Sequence, residues 1–172
     1  MHKTYRKIIN SLDIPVIEMS SEDFFAKYAQ LVFPDYNWRQ FRTVQGSLIQ
    51  RYYLEEWPKN LPNRFIYLNK NHLLHEKIVI LFHEKSHYRN YVKLRKYEGI
   101  EGEMRAYLYS LKKALKYQLK QSLIFYVRAL KIKSEKKRID VQEYSLNGYL
   151  AMQEVVKTDI WKRCNSWLKK QN

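Results

Sequence analysis

The segment "FIYLNKNHLLHEKIVILFHEKSH", residues 65–87, contains the change of hydrophobic pattern that decides the fold. Its first four residues, Phe65–Leu68, have side chains typical of strands, and turn-forming residues lie on both sides of them. From His72 the pattern is helical to about Tyr97. Because 78–82 is apolar on every side, we expect this helix to run through the interior. A strand over 78–82 is the alternative, since several of its residues are β-branched.

Further helices are predicted on both sides of this segment. Ser20 or Ser21 can cap a helix that Pro34 ends, and Asn69 or Asn71 can cap the interior helix. The other helices are predicted from their apolar spacing over Thr43–Trp57, from about Ile100 to Ile132 after Gly99, and from about Ser145 to Lys169. The expected fold class is therefore α+β, predominantly helical, with one strand region and long C-terminal helices that pack on the interior helix.

Length and composition favour one packed domain. The chain has 172 residues, of which 45% are hydrophobic and 15% aromatic, and a chain of this size forms a single self-stabilising core. No apolar run approaches the roughly 20 residues that cross a bilayer, and residues 1–15 show no secretory signal. Cys164 is the single cysteine. We therefore expect no internal disulfide and a reducing, cytoplasmic location.

Two histidines four residues apart, His83 and His87, form the pattern that indicates chemistry. On a helix they lie one turn apart on the same face, so both imidazoles can coordinate one zinc ion. Glu84 lies about 100° around the helix axis. Beside the metal, its carboxylate can accept a proton from zinc-bound water and pass it to a leaving amine. The order His-Glu-x-x-His therefore predicts a hydrolytic zinc centre with Glu84 as general base.

A zinc hydrolase needs a third protein ligand, and no histidine occurs later in the chain. The nearest acids after the motif are Glu98, Glu101 and Glu103. On a helix, Ala106 and Ser110 share the face of Glu103, and their small side chains allow a close approach to the motif helix. Bulkier residues share the face of Glu101. We therefore predict Glu103 as the third ligand, with Glu101 as the alternative; favourable interaction with a helix N-terminus is another explanation for all three acids.

Two tyrosines and two further histidines lie near the motif in the sequence. Tyr107 and Tyr97 lie near the proposed ligands in sequence, and a tyrosine can stabilise an oxyanion. For each of them, packing against the motif helix is the favoured interpretation. His72 and His75 lie two to three turns before the motif, so we expect them to be exposed or capping residues.

Residues 66–110 resemble the ImmA/IrrE family of zinc peptidases. In that family a strand ending in asparagine leads through a helix into His-Glu-x-x-His, and a helix containing Glu-x-x-Ala follows. Here "IYLN" ends at Asn69, fourteen residues before His83, and "EMRAYLYS" begins at Glu103, with Ala106 and Ser110 at the family's offsets. The similarity covers about a quarter of the chain.

The resemblance implies a minimal gluzincin, with Glu84 as general base and residues 1–172 as a single zincin-like metallopeptidase domain. Its zinc ligands would be His83, His87 and Glu103. A short strand would precede the motif helix in such a core, and the substrate would be a specific intracellular protein, often a repressor. The chain departs from the family pattern at Lys85, Arg89 and Tyr107.

The formal charge of +15 makes the surface attractive to polyanions. Between Lys112 and Arg138 there are ten lysine and arginine residues and one acid, Glu135. This run could form a phosphate-binding helix or a basic amphipathic surface for an acidic protein or a membrane. An ordinary amphipathic helix with a basic outer face is the favoured interpretation, because its apolar positions are needed to cover the motif helix. The alternative function is therefore a nucleic-acid-binding or interaction protein whose metal site is structural, degenerate or absent.

Overall fold

The computed structural model describes residues 2–24, 26, 46–50, 61–93, 99–135 and 146–171. Helices predominate in these residues. The α-helices are α1 (His2–Asn10), α2 (Ser21–Phe24), α3 (Leu74–His87), α4 (Gly99–Lys116), α5 (Lys120–Ser134), α6 (Leu146–Val155) and α7 (Asp159–Lys169). The strands are β1 (Val16–Met19), β2 (Gly46–Gln50) and β3 (Arg64–Asn69). A π-helical segment, Tyr88–Lys93, continues α3.

The central strand of the sheet is β3, in the order β1-β3-β2. β1 pairs with it in parallel, with Val16 opposite Ile66, and β2 pairs with it antiparallel, with Leu48 opposite the same residue. The segment Phe65–Leu68 is fully buried, as expected for a strand that is covered on both faces. The strand predicted over Phe65–Leu68 is confirmed.

Two predictions about the sheet are wrong. The sequence predicts a helix over Thr43–Trp57, but Gly46–Gln50 forms β2, and the single predicted strand region is joined by β1 at Val16–Met19. All five residues of β2 pair with β3. Tertiary pairing of this kind overrides the weak helical preference of a short segment. Residues 43–45 and 51–57 lie outside the described residues.

The helix that carries the histidines begins at a cap that the sequence did not indicate. Its N-cap is Leu73, whose backbone N–H donates to the Glu76 carboxylate at 3.0 Å. Neither Asn69 nor Asn71 caps it, because a turn separates β3 from α3. Asn69 instead donates to the hydroxyl of Ser21 at 2.7 Å, which ties the end of β3 to α2.

Two predicted helices are confirmed where the structure describes them. The Ser20 hydroxyl accepts from the backbone N–H of Asp23 at 3.1 Å, so Ser20 caps α2. Pro34, predicted to end that helix, lies outside the described residues. The interior helix is confirmed over Leu74–His87 against the strand alternative, and the predicted end near Tyr97 lies outside the described part.

The predicted C-terminal helices are each divided. Instead of one helix over Ile100–Ile132 there are α4 and α5, because Gln118 between them has φ 53°, a left-handed conformation that ends an α-helix. The helix predicted over Ser145–Lys169 is divided into α6 and α7. Thr158 caps α7 by accepting from the backbone N–H of Trp161 at 3.4 Å. These breaks allow four helices to fold back on one another.

Two apolar clusters lie against α3. Val79 packs with residues of α4, α5, α6 and α7, whereas Ile78 and Leu81 pack with residues of α1 and β3. Each of these three side chains is fully buried, which stabilises the fold by about 1.5–3 kcal/mol per side chain. The expected interior position of α3 is confirmed. Among the described helices, none combines the length and apolar character needed to cross a membrane.

Leu81→Ala is expected to lower the free energy of unfolding by about 2–5 kcal/mol, because it leaves a cavity beside α3. Leu73 is a matched control, since it is 60% exposed. Its truncation should cost less than about 0.5 kcal/mol. Urea unfolding followed by circular dichroism measures both values, and equal losses would contradict the interior position of α3.

Candidate metal centre

Two helices bring three side chains to one point. His83 and His87 lie one turn apart at the end of α3, and their Nε2 atoms are 2.9 Å apart. Glu103, near the start of α4, places one carboxylate oxygen 3.4 Å from Nε2 of His83 and the other 3.5 Å from Nε2 of His87. The structure therefore brings together the three residues that the sequence indicates as ligands.

The separations of these donor atoms suit a small metal ion. Tetrahedral ligands at about 2.0–2.2 Å from a common centre lie about 3.3–3.6 Å apart. The observed separations, 2.9–3.5 Å, are close to that range, and one donor atom from each residue lies within 4.8 Å of the others. Imidazole nitrogen and carboxylate oxygen are zinc donors, and three protein ligands leave a fourth position for water or substrate. Other transition metals also accept these donors.

Small residues on α4 explain how Glu103 reaches the histidines. Ala106 and Ser110 are fully buried. The Ser110 hydroxyl lies 3.0 Å from the carbonyl oxygen of Ala106 and 3.3 Å from that of Val79, and it can donate to either. Because Val79 belongs to α3, the second contact joins the two helices directly. The close approach predicted from these small side chains is confirmed.

Glu101, the alternative third ligand, lies on another face of α4. Its carboxylate is exposed and pairs with Arg105 at 2.9 Å. It is not part of the group of converging donor atoms. Glu98 lies outside the described residues. Of the two described acids, the geometry favours Glu103.

A residue that the sequence did not indicate, Tyr126 of α5, supports the site. Its hydroxyl lies 3.1 Å from Nδ1 of His83. When Nε2 of a histidine coordinates a metal, Nδ1 carries the hydrogen. The Nδ1–H group then donates a hydrogen bond to a neighbouring acceptor, and this bond fixes the orientation of the ring. Burial raises the pKa of Tyr126 far above its usual range, so its hydroxyl stays neutral. No sequence signal marks it, because it is 43 positions from His83 and one of fifteen tyrosines.

Tyr107 lies beside the candidate centre, whereas His72 and His75 lie outside it. The ring centroid of Tyr107 is 4.7 Å from that of His83, in agreement with packing on the motif helix. Tyr97 lies outside the described residues. His72 contacts Glu76 at 3.1 Å, and neither His72 nor His75 belongs to the group of converging donors.

Glu84 is held beside the centre without joining it. It is 7% exposed, and it is absent from the group of converging donor atoms. Its charge contributes to a raised pKa of His87. Glu84 therefore lies near enough to His87 to influence it electrostatically, without being one of the converging donors.

The charges of the cluster stabilise one another. Burial alone raises the pKa of Glu103, but hydrogen bonds to His83 and His87 and their charges outweigh burial, so this pKa lies far below its usual 4.5. Burial lowers the pKa of His87, whereas its hydrogen bond to Glu103 and the charges of Glu84 and Glu103 raise it above 6.5 overall. The metal-free cluster therefore favours a carboxylate facing a protonated imidazole, and a metal ion would take the place of the proton.

Lys85, the basic residue between the two histidines, contacts the end of the N-terminal helix. Lys85 Nζ donates to the hydroxyl of Ser11 at 3.1 Å and lies 3.3 Å from its carbonyl oxygen. Ser11 directly follows α1, so Lys85 helps to hold the N-terminal helix against α3. Its position in the motif therefore has a structural explanation. Arg89 is exposed.

No family model, curated protein or solved structure matches the chain. The resemblance of residues 66–110 to ImmA/IrrE peptidases therefore stays a prediction from the sequence motifs. The chemistry of the centre is inferred from its own residues and geometry.

Tyr126→Phe is expected to weaken zinc binding by about tenfold to a hundredfold, because it removes the hydroxyl that orients His83. Tyr117→Phe is the matched control, since Tyr117 is 48% exposed and lies outside the group of ligands. Competition with a fluorescent chelator measures both affinities. An unchanged affinity in Tyr126→Phe would show that this hydroxyl does not support the site.

In the metal-free protein, the ion pair between Glu103 and His87 is expected to increase the free energy of unfolding only within a limited pH range. The pKa of Glu103 is lowered, so its contribution is present above 4.5 and is lost as the pH falls. The pKa of His87 is raised, so its contribution is present below 6.5 and is lost as the pH rises through the folded value.

The difference in free energy of unfolding between the wild type and Glu103→Gln should therefore be largest between about pH 4.5 and 6.5. Denaturant titrations in the presence of a chelator measure it at each pH. A difference that does not vary with pH would contradict the ion pairing.

Proposed function

We propose that this protein is a zinc-dependent endopeptidase in which Glu84 is the general base. Its metal ligands would be His83, His87 and Glu103. The observation that carries the proposal is the convergence of two imidazole nitrogens and a carboxylate at near-tetrahedral separations. By its resemblance to ImmA/IrrE peptidases, the substrate is a specific intracellular protein, such as a regulator or repressor.

Each side chain of the centre has a distinct part in peptide hydrolysis. Bound zinc would supply a Lewis acid that raises the acidity of water and polarises the scissile carbonyl. The Glu84 carboxylate accepts a proton from the attacking water and delivers it to the amine nitrogen as the C–N bond breaks. Tyr126 holds the ring of His83 through Nδ1. The side chains of His83 and Glu103 remain 13% and 23% exposed, so solvent reaches both of these ligands.

Zinc uptake tests the ligand set. After removal of metals and reloading, the wild type is expected to bind one zinc ion per chain, whereas His83→Ala and Glu103→Ala should each lose it. His75→Ala is a matched control, because His75 also lies on α3 but outside the cluster. Inductively coupled plasma mass spectrometry measures the bound metal. A wild type that takes up no zinc would overturn the proposal.

Hydrolysis tests the role of Glu84. Glu84→Gln should keep its zinc and lose about 10²–10⁴-fold in peptide cleavage, because the amide cannot accept the proton. Glu101→Gln is the control, since this exposed acid pairs with Arg105 away from the centre. A quenched fluorescent peptide library with mass spectrometry of the products measures cleavage. Zinc binding without any cleavage by the wild type would instead assign the metal a structural role.

A further inference from the structure

A basic groove of about 660 Å³ lies between the C-terminal half of α4 and α7. Its charged lining consists of Lys112, Lys116, Lys162, Arg163 and Lys170. Leu115, Ile160 and Trp167 contribute apolar surface, and Gln118 and Ser166 complete the lining. These described lining residues include five cations and no acid. A groove with this lining attracts anions strongly.

The groove is separate from the metal centre. Lys112 follows Glu103 by nine positions on α4, which places it about 180° around the helix axis and about 14 Å further along it. Glu103 faces α3, so the groove lies on the opposite side of α4. Only Lys112 and Lys116 belong to the basic run noted in the sequence; Lys162 and Arg163 come from α7, and Lys170 is its C-cap.

The arrangement of the cations suits an extended polyanion. Lys162 and Ser166 of α7 and its C-cap, Lys170, recur every four residues, so successive positions are about 6 Å apart and the row spans about 12 Å. A single phosphate would contact one end of this row, whereas a chain of phosphates contacts all of it. At one end Lys162 also pairs with Asp159 at 3.3 Å, but such an exposed pair is weak.

The aromatic residue of the groove distinguishes among polyanions. Trp167 is partly buried and lines the groove together with Ile160, and an indole face in a basic groove stacks on nucleobases. In nucleic acids each phosphate unit carries a planar base, whereas the carboxylates of acidic peptides and the phosphates of lipid headgroups do not, and a duplex keeps its bases stacked inside. We propose that this groove binds single-stranded nucleic acid, with phosphates along the cations and a base on Trp167.

Fluorescence anisotropy with labelled DNA and RNA oligonucleotides of about 20 nucleotides tests the charge of the groove. The groove variant is Lys116→Gln/Arg163→Gln/Lys170→Gln. The control, Lys3→Gln/Arg6→Gln/Lys7→Gln, removes the same charges from exposed positions of α1. We expect the groove variant to bind at least about tenfold more weakly than the control. For the groove variant, the slope of the logarithm of the association constant against the logarithm of the salt concentration should also be less negative by about 2.

Two substitutions at one position test base stacking. Trp167→Leu keeps an apolar side chain and should weaken binding by about fivefold or more, whereas Trp167→Phe keeps a ring and should bind nearly as well as the wild type. Circular dichroism spectra and melting temperatures establish that both variants fold. Equal binding by the two variants would contradict stacking on residue 167.

Several results would overturn the proposal. They are no binding at low salt, equal losses in the groove and control variants, or tighter binding to duplex DNA, polyglutamate or phosphatidylserine vesicles than to single strands. Nucleic-acid binding by the groove does not depend on the peptidase proposal. His83→Ala should lose zinc and keep oligonucleotide binding, whereas the groove variant should keep zinc and bind oligonucleotides more weakly. Each proposal can therefore fail alone.

Discussion

The close packing of α4 against α3 is the constraint on which the candidate metal centre depends. Ala106 and Ser110 are fully buried between the two helices, and the Ser110 hydroxyl lies within hydrogen-bonding distance of the Val79 carbonyl. Because α4 lies this near, Glu103, two turns before Ser110, reaches both histidines of α3. Two regular helices thus hold all three donors, and metal binding needs little rearrangement of the chain.

Local patterns in the sequence were enough to predict the parts of the site that depend on one or two helices. The apolar run over 78–82 indicates an interior helix, and the spacing of His83 and His87 places both on one face. Glu103 could be chosen because small residues follow it at helical spacing. Each of these inferences depends on residues that are close together in the chain.

The remaining features depend on contacts between distant parts of the chain. Gly46–Gln50 is a strand because it pairs with β3, and the break at Gln118 depends on a backbone conformation that its side chain does not require. Tyr126 meets His83 only because α5 folds back on α3. The basic groove combines residues of α4 and α7 in the same way. Periodicity along the chain carries no information about these contacts.

X-ray absorption spectroscopy at the zinc edge is a direct test of the proposed ligand set, because it reports the atoms around the metal. We expect nitrogen and oxygen ligands at about 2.0–2.2 Å with scattering from two imidazole rings, and the loss of one ring in His87→Ala. A sulfur ligand at about 2.3 Å would contradict this ligand set, since Cys164 is the single cysteine of the chain and is not part of the centre. A spectrum without imidazole scattering would contradict it equally.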